Sequence, residues 1–261
     1  MKRASWGAWV GLLLLGVGCG GGKAVRLDPS AASQVLFPSI FCYPPGGLVG
    51  IGFNPPGYYY ADESFARATE RACRLLAWSI HVRVQGERLV EQLATGQMAF
   101  RGENFKLLEL PEVLPETCHL ETLEVKQHAW VIATQEGSTA RVGGWTAFSA
   151  ERPAWISQLP EQSGWLYSVG LAQISYRDEP GSWEVATYNA LIELALSAGS
   201  RIAQIDKKAD DWLEGASSVA VDTELSGFRV GGRWRDGEHV YVLGKAPTAQ
   251  VVSHLGKSKG P

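Results

Sequence analysis

One stretch of this chain occurs twice. Residues 46–83 align without a gap on residues 164–201, at a constant offset of 118 positions. Of the 38 aligned pairs, 12 are identical, whereas unrelated segments of average composition would match at roughly 2 or 3 columns. The chain therefore contains two tandem copies of one unit, and its fold has to accommodate that unit twice.

Each copy shows the same order of patterns. A short apolar run between turn residues, 48–53 in the first copy and 166–170 in the second, indicates a strand. A helical pattern follows, with capping oxygens offered by the residues from Asp62 to Ser64 in copy one and by Ser182 in copy two, and alternating runs then indicate further strands. The sequence predicts an α+β fold of two tandem β-α-β-β-β units, each a small antiparallel or mixed sheet with one helix packed on a face.

The first strand of each copy has one face of small residues, namely Gly50 and Gly52 in copy one and Ser168 and Gly170 in copy two. No third glycine follows Gly50-x-Gly52 at the required spacing and there is no Gly-Lys-Ser/Thr, so we do not interpret it as a phosphate-binding loop. The small residues are expected to let the helix pack close to the strand. Arg83, which aligns with Arg201, is the only charge shared by the copies, and we interpret it as an exposed strand arginine.

The N-terminus is typical of an exported protein. Lys2 and Arg3 precede an apolar run over 6–17, which is too short to cross a bilayer of about 30 Å as a helix. The run ends in a small residue before Cys19, which resembles a bacterial lipobox and predicts lipid attachment at Cys19. The alternative is a plain secretory signal with an incidental cysteine. Gly20 is not aspartate, which favours the outer membrane. We expect the periplasmic side, with exposure at the cell surface as the alternative.

These patterns divide the chain into six segments. They are a signal peptide (1–18), a tether (19–36), the first α+β domain (37–133), a linker (134–152), the second α+β domain (153–246) and a disordered tail (247–261).

Export permits disulfides among the cysteines that follow Cys19. Cys73 aligns with Leu191 on the predicted helix, so we expect a buried small hydrophobe there. Cys42 and Cys118 lie in loop-like contexts and are the candidate disulfide, with unbonded thiols as the alternative.

The two copies differ most on the back of the helix. Copy one is charged there, at Arg67, Glu70, Arg71 and Arg74, whereas copy two has Val185, Tyr188, Asn189 and Ile192. A larger core or an inter-domain contact is the favoured interpretation of this apolar back. A surface for a partner, formed by Val185, Tyr188, Ile192 and the linker residue Trp145, is the alternative.

No catalytic or metal-binding motif emerges from the sequence. Its five histidines are scattered, and Cys118-His119 is the only adjacent pair of soft ligands. The formal net charge is −3 with dispersed Lys and Arg, which argues against nucleic acid as a partner. We therefore predict a protein that is not an enzyme, with no metal and no cofactor.

Several motifs resemble the LPP-twenty family of bacterial lipoproteins. They are the Pro-x-Trp of Pro153 and Trp155, the strand at 166–170, the alanine-rich helix after it and the closing hairpin at 234–243. That family includes flagellum-associated outer-membrane lipoproteins of the FlgP type, and the N-terminal domain of FlgT looks related. The resemblance covers residues 153–246 well and the first unit more loosely. It implies a cell-envelope protein that assembles or supports a surface structure without catalysis.

Two functions follow as hypotheses. The first is a lipid-anchored structural or assembly component that self-assembles or binds other envelope proteins. The second is a periplasmic module that binds a small molecule or peptidoglycan in the cleft between the domains.

Overall fold

Two helices and thirteen strands make up the described part of the chain. The structure is a computed structural model, and it describes residues 37–40, 48–55, 61–92, 98–109, 117–125, 128–135, 142–146, 151–199, 201–209 and 212–255. All strand pairs are antiparallel and the helices pack on the sheets, which confirms the predicted α+β class.

Both copies run strand, helix and then four strands. The first unit contains β2 (Val49–Asn54), α1 (Ala61–Ile80), β3 (His81–Gln92), β4 (Met98–Glu109), β5 (Cys118–Val125) and β6 (His128–Gln135). The second unit contains β8 (Trp165–Gln173), α2 (Glu179–Gly199), β9 (Arg201–Ala209), β10 (Trp212–Ser226), β11 (Arg229–Arg235) and β12 (His239–Pro247). Each unit thus has one strand more than the predicted order.

Two short strands lie outside this repeat. β1 (Phe37–Ile40) pairs antiparallel with β7 (Val142–Thr146), which lies inside the segment predicted as the linker. A strand between the two units therefore pairs with a strand that precedes the first unit.

In each unit the first, last and next-to-last strands form a three-stranded sheet. The orders are β2-β6-β5 and β8-β12-β11, so the two sheets have the same topology. α1 packs across β2 and β6, and α2 packs across β8 and β12. Apolar side chains on the helix and sheet fill the space between them, as in other two-layer α+β units.

The small residues of the first strand bring the helix close, as predicted. A Cβ on Gly52 would lie 1.9 Å from the Ala68 carbonyl oxygen, and a Cβ on Gly170 would lie 1.9 Å from that of Ala186. Where the first unit has Gly50, the second has Ser168, whose hydroxyl donates to the Ala190 carbonyl at 2.6 Å. The identical columns of the repeat therefore maintain one strand–helix contact in both units.

The remaining long strands form a central sheet that joins the two units. Its order is β4-β3-β10, with β9 and β13 (Val251–Ser253) side by side along the other edge of β10. β3 and β10 pair over twelve residues, from His81 opposite Ser226 to Gln92 opposite Gly215. The units thus share a continuous backbone ladder.

Alternation along these strands separates an apolar face from a polar one. Val82 and Val84 on β3 and Val221 and Leu225 on β10 are buried, and α2 lies against this face. The intervening side chains, among them Arg83 and Asp222, occupy the opposite face. Apolar residues of both units consequently belong to one core cluster, which includes Trp78 and Trp130 from the first unit and Trp183 from the second.

The predicted disordered tail from residue 247 needs correction. β12 continues to Pro247, a 3₁₀ turn follows over Thr248–Gln250, and β13 pairs with β10. Val251 packs against the core, and the Ser253 hydroxyl donates to the Gly199 carbonyl at the end of α2. The apolar pair Val251-Val252 was too short a signal to outweigh the polar composition around it. Residues 256–261 lie outside the described residues.

The predicted capping serines also need correction, because both helices begin earlier than expected. Ser64 and Ser182 lie inside the first turns, where Ser64 donates to the Pro55 carbonyl and Ser182 accepts from the Ser175 N–H. They attach the preceding loop to the helix. In the second unit, Asp178 precedes the helix, and its Oδ1 accepts a hydrogen bond from the Gly181 N–H at 3.1 Å, as an N-cap does.

Candidate interaction surfaces

The apolar back of α2 faces the first unit. Ile192 is 1% exposed, and the Tyr188 hydroxyl donates to the Phe105 carbonyl of β4 at 2.9 Å. Burial raises the pKa of the Tyr188 phenol. Val185, by contrast, is 50% exposed. Three residues of the predicted partner surface lie on this helix. Tyr188 and Ile192 are used in the contact between the two units, whereas Val185 is exposed to solvent.

We call this contact the repeat interface, formed by α1, β3 and β4 on one side and by α2 and β10 on the other. At one end it is bridged by ion pairs between the helices. Arg71 donates to both carboxylate oxygens of Asp178, at 2.9 and 3.1 Å, and lies 3.5 Å from Glu184. Arg74 also pairs with Glu184. The charged back of α1 therefore binds one acidic residue just before α2, Asp178, and one within its first two turns, Glu184.

On the polar face of the central sheet, the shared arginine of copy one makes the most specific contact between units. Arg83 donates to the two carboxylate oxygens of Asp222, from Nε at 2.7 Å and from Nη2 at 2.8 Å. This bonding, with a further bond from Gln85, holds the pKa of Asp222 below its usual value. Interpreting Arg83 as an exposed strand arginine was wrong, because its side chain is half-buried and fork-bonded to the other copy.

Two histidines approach one carboxylate beside this pair. His81 Nε2 lies 3.6 Å from Glu224 Oε2, and His254 Nε2 lies 3.1 Å from Glu224 Oε1. Throughout the described ranges, no group of three or more His, Cys, Asp or Glu side chains is arranged to hold a metal ion. The cluster is a polar contact among β3, β10 and the segment after β13.

A cleft of about 470 Å³ lies at the repeat interface, between β3 and β4 of the first unit and β8 and α2 of the second. The first unit contributes Arg88 and Glu103, and the second contributes apolar residues such as Leu171 and Ile192. Arg88 donates to Glu193 at 2.6 Å and to Glu103 at 3.2 Å, and its guanidinium lies over the Phe105 ring. Because both carboxylates already engage this arginine, an anionic ligand would have to displace one of them.

The central sheet ends in two strand edges. Among the described residues, β4 pairs only with β3, and β9 pairs only with β10. Asn104, Lys106 and Leu108 are exposed on β4, with Leu108 at 41%. Edges of this kind present backbone N–H and C=O groups that can pair with another strand.

The remaining predicted site residues are only partly described. Cys19 and Cys42 lie outside the described residues. Trp145 lies on β7, where its backbone is opposite Pro38, and its side chain is outside what the structure describes. Cys118 begins β5, and its sulfur is 3.6 Å from that of Cys73 on α1.

Neither helix of the described residues has the apolar, nearly uncharged stretch needed to cross a membrane. Comparison of the chain with protein-family models, with curated proteins and with solved structures finds no match.

Proposed function

We propose that this chain is a lipid-anchored, non-enzymatic component of a bacterial cell envelope. In this proposal it is attached through Cys19 to the periplasmic side of the outer membrane, where it works as a structural or assembly element. The lipobox-like N-terminus and the resemblance to LPP-twenty lipoproteins support the location. The way in which the two repeats pair supports the role in assembly.

That pairing joins unlike strands of the repeat. β3 corresponds to β9 and β4 corresponds to β10, yet the strand pair at the interface is β3 with β10. A two-fold arrangement would pair like with like, whereas this one is head-to-tail. Head-to-tail contacts leave one half of the same contact unused at each end. Within the described residues, the unused halves are the edge of β4, equivalent to β10, and the edge of β9, equivalent to β3.

The unused edges are equivalent to the strands that already pair. If β4 of one molecule meets β9 of another in the register of the repeat interface, the chain extends its sheet through successive copies. The match is incomplete on the helix, because α1 has charged residues where α2 has Tyr188 and Ile192. The proposed contact between molecules is therefore smaller than the contact within one, and association is expected to depend on concentration.

Light scattering coupled to size exclusion tests this proposal on the soluble chain from residue 20, without its lipid. We expect the measured mass to rise with protein concentration through defined oligomers. Membrane attachment brings many copies to one surface and favours the same association. A strictly monomeric mass over the whole concentration range would contradict self-assembly.

The cleft favours a second candidate function. Its volume of about 470 Å³ is within the range of small-molecule sites, and it lies between the units as the alternative hypothesis requires. A monomeric chain that co-sediments with purified peptidoglycan sacculi would support this binding function over the assembly function. Loss of co-sedimentation in the cleft variant Leu171→Asp, but not in Val252→Asp on β13, would locate the binding to the cleft.

A further inference from the structure

The two described cysteines of the first unit lie side by side between α1 and its sheet. Cys73 is on α1 and is 3% exposed, whereas Cys118 is the first residue of β5 and is half-buried. Their sulfur atoms are 3.6 Å apart. A disulfide has a sulfur–sulfur distance of about 2.05 Å, so the two atoms need to approach by only about 1.5 Å.

The second unit has no counterpart of this pair. Leu191 is fully buried at the position of Cys73, and Arg229 takes the position of Cys118 at the start of β11. In the second unit the helix and the sheet pack together there without sulfur. The packing of the fold therefore does not require cysteine at either position, and the thiol pair is a property of the first unit alone.

We propose that Cys73 and Cys118 form a disulfide when the chain meets a disulfide oxidant, such as oxidised glutathione or a thiol–disulfide oxidoreductase. The more exposed Cys118 thiolate attacks one sulfur of the oxidant, which forms a mixed disulfide and releases the other oxidant sulfur as a thiol. The Cys73 thiolate then attacks the Cys118 sulfur and releases the second oxidant thiol. The protein loses two protons and two electrons, and the oxidant disulfide is reduced to two thiols.

The bond fastens an edge strand. Within the described residues β5 pairs only with β6, and α1 packs mainly on β2 and β6 rather than on β5. The disulfide joins α1 to the first residue of β5 and closes a loop between two residues 45 positions apart. It thereby restricts fraying of β5 and constrains the unfolded chain. Its formation in the cell rests on the proposed export, whereas its formation in the purified chain does not.

Peptide mapping without reduction tests the pairing. The full chain is purified with reductant, equilibrated with oxidised glutathione, alkylated and digested. We expect a linked peptide that contains Cys73 and Cys118, lighter than the two reduced peptides by two hydrogen atoms. The control Cys42→Ser should retain this linkage, and Cys118→Ser should abolish it while Cys73 becomes open to alkylation after denaturation.

A linkage of Cys42 to either cysteine would overturn the proposal. So would alkylation of both Cys73 and Cys118 after oxidation under native conditions. Because Cys118→Ser changes a half-buried strand end rather than the helix core, this variant is expected to fold. The mapping of the unsubstituted chain decides the pairing even if the variant does not fold.

Discussion

Alanine at Gly170 tests the strand–helix contact that the repeat preserves. The new Cβ would lie 1.9 Å from the Ala186 carbonyl oxygen and 2.3 Å from the Ala190 nitrogen, both of which are backbone atoms of α2. A helix backbone cannot rotate away as a side chain can. To restore an ordinary contact of about 3.4 Å, α2 would have to move from its sheet by about 1.5 Å.

Such overpacking typically costs 1–3 kcal/mol and occasionally more. Here the clash involves two backbone atoms of one helix, so we expect Gly170→Ala to lose about 3 kcal/mol. For a chain of this size that loss corresponds to a fall in Tm of about 10 °C. Gly231→Ala on β11 is the matched control, because its nearest new contact would be 3.5 Å from a Leu243 methyl carbon.

Urea unfolding followed by tryptophan fluorescence measures both variants against the parent chain. The control is expected to stay within about 0.5 kcal/mol of the parent. If Gly170→Ala also stayed within that margin, close packing would not explain why glycine occurs in both copies. The interpretation of the repeat as a packing unit would then be wrong.

Three further predictions concern the anchor and the repeat interface. Cys19→Ala should abolish lipid labelling and membrane association in cell fractionation, and membrane retention of this variant would contradict the lipobox interpretation. Tyr188→Phe should lower stability to urea by about 1 kcal/mol, because it removes a hydrogen bond to β4, whereas Val185→Ala on the exposed side of α2 should change little. Asp222→Asn should lower stability near neutral pH. Because Arg83 lowers the pKa of Asp222 in the folded state, that difference should disappear as the pH falls through this pKa, and a difference independent of pH would argue against the ion pair.

The parts of the fold that depend on local sequence could be predicted. The strand–helix contact follows from Gly52, Gly170 and the alanines opposite them. Small residues at these positions let the helix backbone approach the strand closely. The α+β class follows from the change between alternating and helical periodicity. These features lie within one unit and recur in the other, so each copy provides a check on its partner.

The parts that depend on contact between units could not be predicted. β3 and β10 are long because they pair with each other, and no local pattern shows which strand of the other copy is the neighbour. Asp222 lies in a segment that aligns poorly with the first copy, so the partner of Arg83 was not visible. The recurrence of that arginine at Arg201 was the one signal for the site, and one shared charge does not identify its partner.

The two cysteines show a related limit. Cys73 aligns with a leucine and was therefore expected to be a buried hydrophobe. That expectation accounts for its burial but not for its contact with Cys118. Cys118 begins a strand that the sequence placed within a loop-like context. Sequence spacing could not bring the two together, since their contact depends on how α1 lies on the sheet to which β5 belongs.

A designed cross-link between molecules tests the proposed strand pairing most directly. Ser218 of β10 pairs with Leu89 of β3. Leu108 of β4 pairs with Arg83, and Ala220 of β10 pairs with Arg201, which aligns with Arg83. β4 and β10 therefore align at an offset of 112 positions, so the counterpart of Ser218 is Lys106. The counterpart of Leu89 is residue 89 + 118, Lys207. Within one molecule these two positions are three strand spacings apart across the sheet, about 14 Å. They are also eight residues apart along it, because Lys106 is level with Asp222 of β10 whereas Lys207 is opposite Glu214. The resulting separation of about 30 Å is beyond the reach of a disulfide.

The account predicts that Lys106→Cys combined with Lys207→Cys gives covalent oligomers under mild oxidation, with a linked peptide that contains both new cysteines. Lys106→Cys combined with Ile205→Cys is the control, because its cysteines are two positions out of register and about 7–8 Å apart. Efficient linkage in the first variant and weak linkage in the control would support assembly through β4 and β9. Equal linkage in both, or monomers in both, would contradict it.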